Sequence, residues 1–80
     1  MPRQLKEDKS FTTSLSLIKF GKNIQHHRIT QGVSIKMLSY VTGIASEDIV
    51  LLESGQRDVI LDEMSIIAIA LGIAVQDLVD

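Results

Sequence analysis

The 80-residue sequence predicts an all-α domain, five short helices behind a polar arm. Three observations predict it. Apolar residues recur at spacings of three and four, which gathers them on one face of a helix with 3.6 residues per turn. No stretch alternates apolar and polar residues between turn signals, as a half-buried strand requires. Gly32, Gly43, Gly55 and Gly72 follow the ends of the apolar periods, where helices stop.

Residues 1–13 mix charges with Ser and Thr and carry no apolar period, so they read as a flexible N-terminal arm, with residues 14–80 as the folded domain. Ser14 is the expected N-cap of a first helix that runs to about Thr30 and lines up Leu17, Phe20, Ile24 and Arg28 on one face. Gly32 ends it. Ser34 caps a second, short helix carrying Met37, Leu38 and Val41, which stops at Thr42-Gly43, a turn that favours a residue free to adopt positive φ. The third helix runs from about Ser46 to Ser54, with Ile49 and Leu52 facing inward and Gly55 as a left-handed stop. Beyond the polar loop Gly55-Gln56-Arg57-Asp58, a fourth helix from about Leu61 to Leu71 uses Leu61, Met64, Ile67, Ala68 and Leu71 to close the core. A last turn of helix follows Gly72, from Ala74 to Val79.

Composition narrows the function classes. With 45% hydrophobic residues and no cysteine, the chain must rest on packing or oligomerisation and has neither disulfides nor thiolate metal ligands, which favours a reducing, cytoplasmic location. The first ten residues lack the apolar stretch of a secretion signal, and no later run approaches the roughly 20 apolar residues of a membrane span. There is no nucleophile elbow, glycine-rich phosphate loop or HExxH pattern, so neither an enzyme nor a cofactor is expected. His26 and His27 are adjacent and point about 100° apart on a helix, unlike an i, i+4 pair that shares a metal, and no metal site is expected.

The spacing of several residues together resembles the lambda-repressor-like (Xre/Cro-type) helix-turn-helix domains, without gaps over residues 20–79. The elements are Phe20-Gly21, Ile24 and Arg28, then Gly32-Val33-Ser34 leading to Leu38, and Gly43-Ile44 at the turn. Ile49 and Leu52-Glu53-Ser54-Gly55 follow, then Leu61, Met64, Ile67-Ala68, Leu71-Gly72-Ile73 and Leu78. The resemblance implies a transcription regulator whose third helix enters the major groove of double-stranded DNA. By position it implies that Ala45, Ser46, Glu47, Val50 and Leu51 face the bases, with Asp48 at the edge. Lys22, Lys36, Gln56 and Arg57 are the phosphate candidates, together with the helix start at Ser34. Arg28 and Glu53 fall at otherwise apolar-facing positions, and the resemblance implies a structural ion pair between them.

Charge cuts against an easy assignment. The chain has 8 Lys+Arg and 10 Asp+Glu, a net charge of −2, whereas nucleic-acid-binding domains are usually basic. Glu47 and Asp48 suit the positive end of a helix but oppose phosphates. An alternative expectation is therefore an interaction module that binds a protein partner, antitoxin-like or regulator-binding, with weak or no DNA binding. Apolar residues beyond core needs, Ile66, Ile69, Ile73 and Val75, form a second stripe and point to a homodimer, which would set two third helices about one DNA turn apart on a short palindromic operator.

Overall fold

The computed structural model describes residues 16–80. The expected arm, residues 1–13, and the expected cap Ser14 lie outside the described residues. Five helices follow in order: α1 Leu17–Thr30, α2 Ile35–Thr42, α3 Ser46–Glu53, α4 Leu61–Leu71 and α5 Val75–Val79. Among the described residues there is no strand, and no helix is long and apolar enough to cross a membrane.

Local chemistry sets most boundaries. The cap of α1 is Ser16 instead of Ser14: its hydroxyl accepts the Lys19 N–H at 3.2 Å, and the helix begins at Leu17. Ser34 accepts the Met37 N–H at 3.0 Å and starts α2. That helix ends at Gly43, whose φ is 77°. The Thr42 hydroxyl donates to the Leu38 carbonyl and accepts the Ile44 N–H, which braces the turn into α3. Neither α4 nor α5 has a hydroxyl cap. Glu63 instead reaches back to the Ile60 N–H at 3.3 Å, and Asp77 to the Ala74 N–H at 3.1 Å, the carboxylate half of a capping box in each case.

The core collects Phe20 and Ile24 from α1, Leu38 from α2, Ile44 from the turn and Ile49 and Leu52 from α3. Met64, Ile67, Ala68 and Leu71 from α4 and Leu78 from α5 complete it, with Val59 from the loop before α4. Leu61 departs from expectation: it opens α4 and lies 47% exposed, while Val59, two residues before it, is the residue that is buried in the core. Helix α3 packs on α1 and α2, while α4 and α5 close the other side. A residue without a side chain is required where α1 crosses α3, since a Cβ on Gly21 would fall on the carbonyls of Leu52 and Glu53. Gly55 meets two demands at once: its φ is 73°, and a Cβ there would lie 2.9 Å from the Ile18 backbone.

Polar side chains tie the ends together. The Asn23 amide donates to the Leu78 carbonyl at 2.8 Å and holds α5 on α1. Gln31 donates to the Leu71 carbonyl at 2.7 Å, linking the ends of α1 and α4. Both satisfy carbonyls that a helix terminus otherwise leaves without a partner.

Candidate nucleic-acid interface

Helix α3 is wedged by Ile49 and Leu52, each almost fully buried, so its opposite face must turn outward. Ala45, Glu47, Val50 and Leu51 are exposed there, and Ser46 and Asp48 are half-buried. Ala45 is the N-cap residue and offers no oxygen to the first turn, where Glu47 and Asp48 supply negative charge in place of a side-chain cap.

The outward face borders a concave surface of about 440 Å³ lined by Lys22 and Gln25 of α1, Ile35 of α2, Val50 of α3 and the Arg28 and Glu53 pair. Arg28 Nε donates to Glu53 Oε2 at 2.6 Å and Nη2 to Oε1 at 3.0 Å, while Nη1 donates to the Val33 carbonyl at 3.0 Å. The two side chains are 11% and 6% exposed. The hydrogen bonds that Arg28 donates to Glu53 hold the Arg28 pKa above its ordinary value, against the opposing effect of burial. One fork therefore connects α1, the α1–α2 loop and the end of α3.

The phosphate candidates are dispersed around α3. Lys22 and Lys36 are exposed, and Lys36 stands with Ser34, Met37 and Tyr40 around a shallow depression at the start of α2. Gln56 is exposed in the loop. Arg57 is engaged elsewhere. Its Nη1 and Nη2 donate to the two carboxylate oxygens of Glu63 at 2.9 and 2.8 Å, Nη1 also donates to the Asp58 carbonyl at 2.9 Å, and Nε lies 3.5 Å from Asp48 Oδ1. Hydrogen bonds from Arg57 pull the Glu63 carboxyl below the usual carboxylate range, outweighing burial, and those same bonds raise the Arg57 pKa.

Sequence reading missed this clamp. Its one visible signal is Glu63 at the third position of α4, where a carboxylate returns to the helix start. Of the apolar stripe, Ile66 and Ile69 stand exposed at 41% and 78%, whereas Ile73 and Val75 pack half-buried against the core beyond the end of α4. His26 and His27 meet edge to face, and no group of three metal-ligating side chains occurs among the described residues.

The fold recurs in solved structures. The restriction-modification controller protein C.AhdI from Aeromonas hydrophila is 32% identical, with a TM-score of 0.75 over 78% of this chain and 94% of that one. The chain belongs to the same family as that controller protein. Two further regulators share the fold of this controller-like chain at lower identity. The clp gene regulator ClgR from Corynebacterium glutamicum is 23% identical, with a TM-score of 0.77 over 80% of this chain and 68% of that one. SinR, a master regulator for biofilm formation solved in complex with DNA, is 21% identical, with a TM-score of 0.73 over 76% of this chain and 98% of that one. No protein-family model matches the sequence, and no curated protein matches it.

Proposed function

We propose that this protein is a cytoplasmic, sequence-specific DNA-binding transcription regulator of the lambda-repressor-like (Xre) type. It acts as a repressor-like homodimer on a short palindromic operator, without cofactor. The observation that carries the reading is the open outer face of α3, braced from behind by the Arg28–Glu53 fork and flanked by Lys22, Lys36 and the Ser34-capped start of α2. Membership beside a controller protein supports it. In this reading Ala45, Ser46, Glu47, Val50 and Leu51 meet base edges. A hydroxyl, a carboxylate that accepts from the cytosine amino group and aliphatic groups against thymine methyls are the chemistry available. Lys22, Lys36, Gln56 and the backbone at Ser34 meet phosphates, Arg57 is a further phosphate candidate that Glu63 holds in the free protein, and Ile66, Ile69, Ile73 and Val75 form the dimer face.

A second reading rests on Glu47 and Asp48 in the first turn of α3 and on the net charge of −2: the same face takes a protein partner. A mobility shift on pooled genomic fragments at low salt separates the two, because a protein-only module retains none. In the DNA reading Lys36→Ala weakens binding alike on all sequences and lowers the slope of log K against log salt by about 0.9 for its one phosphate. Glu47→Ala changes sequence preference or strengthens binding generally. Unchanged DNA affinity in both Lys36→Ala and Lys22→Ala defeats the docking model.

A further inference from the structure

We propose that Glu63 sets the DNA affinity of this protein by holding the Arg57 guanidinium in an intramolecular fork that withholds it from the phosphate backbone. The inference rests on the DNA-binding reading and adds an affinity-setting residue to it.

Arg57 stands in the loop directly after α3, at a position that the DNA-binding reading gives to a phosphate contact. In the free protein both of its terminal nitrogens are already engaged. Both terminal nitrogens are matched to the Glu63 carboxylate, one of them also to the Asp58 carbonyl, and Nε faces Asp48. This is the planar, two-bond geometry by which arginine binds a phosphate, so Glu63 and a phosphate compete for the same donors. The surrounding charge reinforces the hold, since the carboxylates of Glu63, Asp48 and Asp58 all act on this one cation. A phosphate approaching the loop therefore meets a neutralised arginine among acids. The clamp is also built into the fold, because Glu63 accepts the Ile60 N–H at the start of α4 and is thereby fixed opposite the loop. Glu63 has two employments, as helix cap and as competitor, and a neutral amide can keep the cap's oxygen acceptor but not the charge that competes for Arg57.

Substitution by Gln separates them. Glu63→Gln keeps an oxygen for the Ile60 N–H while removing the negative charge, and leaves Arg57 free to pair with DNA. The experiment measures binding of short fluorescent duplexes of mixed sequence across salt concentration. Four proteins are compared: wild type, Glu63→Gln, Arg57→Gln and the double variant. One added phosphate contact steepens the log–log salt slope by about 0.9, and raises affinity near 0.1 M salt by up to about eightfold. The double variant shows no such steepening, and Arg57→Gln alone stays near the wild-type slope. Equal slopes for wild type and Glu63→Gln, with both bound to DNA, overturn the clamp and leave the DNA reading standing. A gain that persists without Arg57 also overturns it, since Glu63 would then act only as a repelling charge. Absence of binding by wild type and Glu63→Gln alike, down to the lowest salt, overturns both inferences together.

Discussion

Replacing Glu53 by Ala while Arg28 stays leaves a guanidinium that is 11% exposed with the Val33 carbonyl as its remaining acceptor in the fork. Breaking a buried pair from one side costs about 3–5 kcal/mol, because the partner left behind is a charge without compensation. Exposed pairs contribute only about 0–1 kcal/mol, so burial decides which regime applies, and exposures of 11% and 6% place this pair in the first. A chain of this length is ordinarily stable by about 4–12 kcal/mol, so Glu53→Ala removes a large share of the whole. At about 4–8 °C per kcal/mol for a domain of this size, the midpoint of thermal unfolding falls by at least about 12 °C. Removing both charges behaves differently: Arg28→Met with Glu53→Leu restores stability to within about 1 kcal/mol of wild type or exceeds it, since no buried charge remains. Urea unfolding followed by far-ultraviolet circular dichroism measures each variant, because the chain has no Trp and Tyr40 is 86% exposed and reports poorly on the core. A loss below about 1 kcal/mol for Glu53→Ala would show the fork to be worth no more than a surface pair. A double variant as unstable as the single one would place the cost in packing and not in charge.

The Glu63 carboxyl titrates lower in the folded protein than in the unfolded chain, so its pairing with Arg57 stabilises the fold fully above the unfolded carboxylate pKa of about 4.3. That contribution disappears as pH falls through the lower, folded value. Thermal midpoints of wild type therefore drop more steeply below about pH 4 than those of Glu63→Gln, and coincident pH profiles would contradict the pairing. For the proposed dimer, Ile69→Glu places a charge on a residue 78% exposed in one chain. It leaves the chain folded but shifts sedimentation toward monomer, and a wild type that sediments as a monomer at high protein concentration rules the dimer out.

The local sequence determined which residues form helices and where four of the five end. Periods of three and four placed Phe20, Ile24, Ile49, Leu52, Met64, Ile67 and Leu71 inward, and the structure buries them. Ser34, Gly43 and Gly55 act as punctuation because capping hydroxyls and positive φ are satisfied by neighbours a few residues away. The first boundary slipped from Ser14 to Ser16 because two serines compete for one helix start and both suit the local rule. Facing directions on α3 were legible too, since burying Ile49 and Leu52 obliges Val50 and Leu51 to turn away.

What only the tertiary structure decided are the partnerships between segments distant in the chain. Val59 lies in a loop, where no period marks it, and is buried in the core only once the loop before α4 is laid against the other helices. Asn23 and Gln31 look like ordinary surface amides until the fold brings the Leu78 and Leu71 carbonyls within reach. Arg57 shows the difference most sharply: as a cation in a polar loop it reads as a phosphate ligand, yet the fold brings Asp48 of α3 and Glu63 of α4 to it first. Periodicity and capping are properties of a few consecutive residues, so they are written locally. The choice of partner for a charge depends on which carboxylates the assembled helices bring close, and that is settled only when the core closes.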